Sequence, residues 1–163
     1  MKKNETFLAA IKDNEGLLLK IASVYTNNAE DKNDLVQEII YQIWKSFDSF
    51  NQKSSLSTWI YRVALNVAIY QLKISKRKAS TVPLAEHILN YPDDDNSEVE
   101  NKWEIFRQKI ENLNLLDKAI ILLYLDDKSY EEIGEIIGIS PTNVGTKLYR
   151  IKEKLKSQIS KQV

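Results

Sequence analysis

The sequence predicts an all-α protein made of two small helical domains joined by a linker. Three observations carry that prediction. Apolar residues recur at steps of three and four through most of the chain, and no stretch alternates as a strand would. Only 4 Gly and 3 Pro occur in 163 residues, too few for a turn-rich β fold. The one long aperiodic stretch, S-T-V-P-L-A-E-H-I-L-N-Y-P-D-D-D-N from Ser80 to Asn96, combines prolines with an Asp run and reads as a linker. Domains are therefore expected over 1–80 and 97–163, with an acidic linker over 81–96.

The first helix is expected from Phe7 to Tyr25, with Phe7, Ile11, Leu18, Ile21, Ala22 and Tyr25 at helical spacing. Gly16 weakens its middle and allows a break. Asn27 and Asn28 close it, and Asp31 or Asn33 offers a cap for the next helix. Asp34 to Phe47 is strongly amphipathic: Leu35, Ile39, Ile43 and Phe47 form a stripe that Val36, Ile40 and Trp44 widen. Asp34, Gln37, Glu38 and Tyr41 or Gln42 are left on the outer side. On spacing alone that side reads as a solvated face rather than a site.

Asp48 to Ser55 is polar and short-chained, hence a loop. Ser57 or Thr58 then caps a long helix, T-W-I-Y-R-V-A-L-N-V-A-I-Y-Q-L-K-I-S-K-R-K. Trp59, Val63, Asn66, Val67 and Tyr70 share one face, with Ile60, Ala64, Ala68 and Leu72 nearby. The helix ends in a basic cluster, Lys73 to Lys78, placed to reach phosphates. Aromatic rings beside a polar loop and a basic end suit single-stranded nucleic acid. The same rings would also serve a core. The core is the expectation for Trp59, and the choice stays open for Tyr61 and Tyr70.

Beyond the linker, Ser97 to Asn112 resumes as a helix with Trp103, Phe106 and Ile110 as its stripe. Leu115 to Leu125 is apolar nearly all round, which marks a buried helix. Ser129 caps a short helix carrying Tyr130, Ile133, Ile136 and Ile137, and Glu131 and Glu132 sit where the helix dipole favours acids. Gly138 suits the left-handed position past its end. Ser140-Pro141 then starts another helix, cap followed by first turn. Val144, Leu148, Ile151 and Leu155 form its apolar stripe, leaving Thr142, Asn143, Thr146, Lys147, Arg150 and Lys154 off it. Gly134 is small where two crossing helices approach closely. Two helices, a tight turn and a basic second helix make a helix-turn-helix that would grip duplex DNA. An ordinary helical hairpin with a solvated basic face is the plainer alternative.

Composition excludes several classes of chemistry. There is no Cys, so disulfides, thiolate metal sites and cysteine nucleophiles are absent. The single His87 falls in the linker, which leaves no basis for a catalytic triad or a histidine-ligated metal. With no glycine-rich phosphate loop either, neither an enzyme nor a cofactor is expected. No apolar run approaches the length of a membrane span and the N-terminus does not read as a signal peptide, so a cytoplasmic protein with no membrane insertion is expected. The formal net charge of +0 hides a segregation. Residues 1–80 hold 12 basic and 8 acidic side chains, 81–112 hold 3 and 8, and Ile139 to Val163 holds 6 and 1. A field that is basic at the nucleic-acid candidates is what phosphate contact requires, whatever the total.

The order of these segments resembles the extracytoplasmic-function sigma factors, small two-domain members of the sigma-70 family that direct bacterial RNA polymerase to promoters. The likeness covers nearly the whole chain. Region 2 is resembled through E-D-K-N-D-L-V-Q-E-I-I-Y-Q-I-W (Glu30 to Trp44) and F-N-Q-K-S-S-L-S-T-W-I-Y-R-V-A-L-N-V-A-I (Phe50 to Ile69). Region 4 is resembled through S-Y-E-E-I-G-E-I-I-G-I-S (Ser129 to Ser140) and the helix after it.

The resemblance implies roles that spacing does not. Asp34, Gln37, Glu38 and Tyr41 would bind core RNA polymerase at the β′ clamp helices, with the β flap as a further contact of the factor. The loop Asn51, Gln52, Lys53, Ser54 and Ser55 would hold a flipped base of the melted −10 element. Arg62, Asn66, Tyr70, Lys73, Lys76 and Arg77 would lie on −10 DNA. Ser140, Thr142, Asn143, Thr146, Lys147 and Arg150 would meet the −35 major groove. An anti-sigma factor is the implied regulator. Three features depart from the family pattern: Tyr70 stands where Asp is common, Lys73 and Lys76 stand where arginines are common, and N-V-G-T-K-L stands where T-V-K-S-R-L is usual. A helix-turn-helix regulator acting without polymerase, or a sigma mimic acting only through protein contacts, is the alternative function.

Overall fold

A computed structural model describes residues 2–79 and 98–161. Every element among them is helical. In chain order these are α1 (Lys2–Val24), α2 (Ala29–Ser46), a 3-10 turn (Phe47–Ser49), α3 (Leu56–Ala79), α4 (Glu98–Ile110), α5 (Leu115–Leu125), α6 (Tyr130–Ile137) and α7 (Pro141–Lys161). The chain divides into two units, Met1–Leu89 and Asn90–Val163.

In the first unit α1, α2 and α3 pack around Ile21, Ile39, Ile43 and Ile60, all at 0% exposure. Withdrawing each such side chain from water contributes about 1.5–3 kcal/mol, which makes this the unit's main source of stability. Gly16 does not break α1. It is exposed with nothing within 4 Å of where a Cβ would stand, while Leu17, Leu18 and Ile21 are buried around it. Packing of that face carries the helix through the weak position.

Two expected caps move. Asn28, not Asp31 or Asn33, starts α2: its extended backbone lets Oδ1 accept the Asp31 N–H at 2.7 Å, and its Nδ2 donates back to the Asp31 carboxylate at 2.9 Å. The first of these bonds satisfies one of the backbone donors that a helix start exposes, and α2 begins five residues before Asp34. Ser55, not Ser57 or Thr58, starts α3, its hydroxyl accepting the Thr58 N–H at 3.1 Å. The buried face of α3 also differs from the expected one. Ile60, Ala64 and Ala68 at 0% exposure, with Tyr61 and Leu65, face the core, and Asn66 and Tyr70 face solvent. The small residues in that row let α3 lie close to its neighbours.

A run of aromatic rings crosses the first unit. Trp44 meets Phe7 at 4.9 Å between centroids, Phe7 meets Phe47 at 5.8 Å, Phe47 meets Trp59 at 6.2 Å and Trp59 meets Phe50 at 5.5 Å. The first three pairs meet edge-on, which adds about 0.5–1.5 kcal/mol per pair beyond area burial, and Phe50 is tilted against Trp59. Trp59 is thus the packing residue its position suggested, half-buried among these rings.

In the second unit α5 is buried from Lys118 to Leu123, as an all-round apolar helix must be, and its end re-emerges at Leu125, 54% exposed. Asn114 caps it by accepting the Asp117 N–H at 2.8 Å. Ile110 of α4 and Val144, Leu148 and Ile151 of α7 close the core around it. Leu155, expected to extend that stripe, is only half-buried, because α7 runs on past the helices it packs against. The linker stretch, His87 and the Trp103 side chain lie outside the described residues.

Candidate nucleic-acid and partner interfaces

The helix-turn-helix is built by backbone chemistry at its turn. The Ser129 hydroxyl accepts the Glu132 N–H at 3.1 Å and starts α6. Gly138 ends it at φ 91, a conformation that favours glycine, and its N–H reaches the Gly134 carbonyl at 2.7 Å. The Ile139 N–H shares that carbonyl at 3.0 Å. A Cβ on Gly134 would stand 2.6 Å from the Ile139 carbonyl oxygen, so this glycine is what lets the turn fold back across α6. Ser140 then caps α7, its hydroxyl accepting the Asn143 N–H at 3.2 Å.

With Val144, Leu148 and Ile151 at 0–1% exposure, the other side of α7 faces outward. Thr142, Asn143, Thr146 and Arg150 are exposed there and Lys147 is half-buried beside them. The structure therefore brings all five onto one side of one helix, with Ser140 at its start. Thr146 turns its hydroxyl back onto the Thr142 carbonyl at 3.2 Å, which leaves its methyl as the outward group. Sequence reasoning passed over Tyr149, which is 68% exposed and follows Thr142 by seven and Thr146 by three residues. Its signal was the same helical spacing. Gly145 lies under the Tyr130 ring, whose nearest carbon would be 3.4 Å from an added Cβ.

Lys152 anchors the far part of α7. Its ammonium donates to the Tyr124 hydroxyl at 3.0 Å and lies 4.3 Å from that ring's centroid. The hydrogen bond raises the lysine's pKa above its ordinary value. This charged group pins α7 to α5.

In the first unit, the loop candidates Asn51, Gln52, Lys53 and Ser55 are exposed and Ser54 is half-buried. The Asn51 side-chain oxygen accepts the Lys53 N–H at 3.2 Å, folding the loop over Gln52, which sits at φ 63. A non-glycine residue in that region is sparsely populated and stores strain of order 1 kcal/mol. Ser55 is occupied in two directions: it caps α3 and donates to the Thr58 hydroxyl at 2.9 Å. Phe50 at one end packs on Trp59, so both ends of the loop are held by α3.

Arg62, Asn66, Tyr70 and Lys73 follow one another at steps of four, four and three along α3 and are all exposed, Tyr70 at 62%. They form one polar row leading from the loop to the basic end of the helix. Lys76 and Arg77 continue α3, and their side chains lie outside the described residues. Tyr61, whose role was open, is core: it is 4% exposed and its hydroxyl donates to Asn14 at 2.7 Å.

The outer side of α2 is not a flat solvated face. It forms a ridge between two concavities. One, of about 350 Å³, is lined by Asp31, Asp34 and Glu38 together with Tyr25, Thr26 and Asn27 and, from α3, Gln71 and Leu72. The other, of about 490 Å³, is apolar and lined by Phe7, Leu8, Ile40, Tyr41 and Trp44, with Asn4 and Gln37 at its edge. The four candidates thus divide, Asp34 and Glu38 to the acidic side and Gln37 and Tyr41 to the apolar side. Gln42 donates to Glu38 at 2.9 Å and steadies that carboxylate. Of the residues lining the apolar concavity, Leu8 is 65% exposed and Tyr41 55% exposed. No group among the described residues is arranged to hold a metal ion, and no helix among them is long and apolar enough to cross a membrane.

Comparison with known proteins gives matches for both halves. Residues 10–78 match the family model described as Sigma-70 region 2, and residues 103–155 match Sigma-70, region 4. The ECF RNA polymerase sigma factor SigW of Bacillus subtilis (strain 168) is 33% identical over 149 residues, spanning 81% of this chain and 77% of that protein. RNA polymerase sigma factor SigV of the same organism is 27% identical over 99% of this chain and 98% of its own length. Among solved structures, CnrH in complex with the cytosolic domain of CnrY superposes with a TM-score of 0.74 at 15% identity, covering 98% of this chain and 91% of that one. The sigma factor RpoE in complex with the anti-sigma factor NepR from Bartonella quintana gives 0.70 at 20% identity, covering 96% of each chain. At those identities the two structures speak for the fold.

Proposed function

We infer the working of these surfaces from one plain premise: the chain belongs to the sigma-70 family of RNA polymerase sigma factors, in its ECF class. It is a sigma factor that binds core RNA polymerase and directs promoter-specific transcription initiation. Its own contribution is recognition, and the nucleotide chemistry is the polymerase's. Its place of work is the cytoplasm, with the polymerase, and an anti-sigma factor is its regulator.

The observation that carries the reading is the presence, in order on one chain, of two differently equipped nucleic-acid surfaces. Residues 97–163 present α7, a capped helix with one polar face, suited to a duplex major groove. Arg150 and Lys147 would pair with guanine and Asn143 with adenine, and the outward methyl of Thr146 would meet thymine. Residues 1–80 present an exposed loop with a strained residue at its centre and a row of amide, phenol and cations beside it. That equipment suits a melted strand, where an unpaired base costs little to hold and hydroxyls and amides reach its edge. Residues 81–96 join the two as an acidic linker.

The ridge of α2 is the surface for core polymerase. Acidic Asp34 and Glu38 on one flank and apolar Tyr41 on the other would receive helices carrying both cations and apolar side chains. Separation-of-function variants test this division. Arg150→Ala should weaken −35 binding roughly 10-fold or more while leaving core affinity within about twofold, since a bidentate base contact contributes about 1–3 kcal/mol. Tyr41→Ala should do the reverse, weakening assembly with core polymerase while duplex −35 binding is kept. Parallel loss of both activities in either variant would show that residue to be structural.

A further inference from the structure

We propose that Asn14 is the positioning residue for the base-reading loop, a role that rests on the loop reading above and goes beyond it. Asn14 lies in the middle of α1 and is 6% exposed, one of few polar side chains in the first unit's core. A buried amide is retained only where its hydrogen bonds are met, because each unmet one carries a desolvation cost. Here they are met by a specific set. Nδ2 donates to the Ala10 carbonyl at 2.7 Å, which ties the side chain to its own helix. Oδ1 accepts two hydroxyls from α3, Tyr61 at 2.7 Å and Ser57 at 3.0 Å.

Those two donors lie on the first turns of α3, immediately after the loop. Ser57 is two residues past Ser55, which caps the helix, and Thr58, whose hydroxyl Ser55 reaches, is a buried residue, 5% exposed. The side chains buried nearby, Ile60, Ala64 and Leu18, are apolar, and their attraction is not directional. Hydrogen bonds are directional, so the Asn14 node sets the register of the start of α3 against α1. The upstream end of the loop is tied to both neighbours: Phe50 rests on Trp59 of α3, while Phe47, three residues earlier, rests on Phe7 of α1. With both ends fixed, the loop spans a defined gap, and Gln52 is held at φ 63 within it. Loosening one end would let the loop relax and accept more than one base.

The test uses full-length chain with core polymerase and a promoter pool randomised at −35 and −10, with run-off transcripts sequenced. Three variants are compared with wild type: Asn14→Leu, Tyr61→Phe, and Asn51→Ala as a direct change to the loop. Tyr61→Phe keeps the ring and so guards against loss of folding in Asn14→Leu. For both node variants the expected result is a flattening, by roughly fivefold or more, of base preference at the −10 position that Asn51→Ala also affects. Preference at −35 and core affinity should stay within about twofold. Unchanged −10 preference in Tyr61→Phe and Asn14→Leu, with Asn51→Ala effective, would overturn the positioning role alone. If Asn51→Ala also leaves the −10 preference intact, the loop reading falls together with it. A uniform fall in all transcripts tracking melting temperature would reduce Asn14 to a stability residue and likewise overturn the proposal.

Discussion

Two glycines eleven residues apart have opposite meanings, and the distance to the nearest backbone decides which. An added Cβ at Gly134 meets the Ile139 carbonyl oxygen at 2.6 Å, and that oxygen belongs to the turn itself. Gly134→Ala should therefore cost about 1–3 kcal/mol, as overpacking does, and loosen the helix-turn-helix. At Gly145 the first contact is the Tyr130 ring at 3.4 Å, a side chain 42% exposed. Gly145→Ala should stabilise by up to about 1 kcal/mol through helix propensity. Urea unfolding of both variants checks the pair, and the opposite signs would contradict this packing. Tyr25 yields a pH prediction. Burial pushes its phenol above the ordinary value of 10.0, so the native state keeps the proton while the unfolded chain loses it. Stability from this group is complete below about pH 10 and falls by about 1.4 kcal/mol per pH unit above that. Tyr25→Phe should remove that part of the alkaline slope in a pH series of denaturation curves. That position 134 needs a small residue was legible in sequence, but the close neighbour is the backbone of the turn at Ile139 rather than a crossing helix. Asn14 was not legible, since an Asn between Asp13 and Glu15 looks like surface until the helix is packed.

At the scale of elements, caps separate what was legible from what was not. Ser129, Gly138 and Ser140 stand where sequence placed them, because the short α6 leaves no room for another start or stop. Asn28 and Ser55 displaced the expected caps, because several cap-forming residues cluster at each boundary and only packing of α2 and α3 selects among them. The outer face of α2 read as plain solvated surface. Its two concavities arise from the neighbouring α1 and α3, which no single-helix pattern can show. Ser140 lends itself to an element-level test because it both caps α7 and lies in the proposed −35 surface. Ser140→Ala should cost about 1 kcal/mol of stability through loss of the cap. Ser140→Asp should keep the cap and favour the helix start, while its charge repels phosphate and weakens duplex binding. Equal −35 affinity for Ser140→Asp and wild type in band-shift titrations would remove Ser140 from the DNA surface.

For the molecule as a whole, the total charge of +0 was the least informative number and its distribution the most. The helical class and the order of the elements followed from periodicity and caps, and the two surfaces proposed above for nucleic acid draw on the segregation of basic residues as well. The family assignment rests on matches over residues 10–78 and 103–155 and on a relative 33% identical of which this chain spans 77%. The central claim is that these two surfaces act together on one promoter, under core polymerase. Its most direct measurement is run-off transcription with purified core polymerase and a pool of upstream sequences. The account predicts transcripts only when the chain is present, all from templates sharing two separated elements at constant spacing, one lost with Arg150→Ala and the other altered by Asn51→Ala. Tight binding to a single duplex palindrome, with no transcript dependent on the chain, would contradict it.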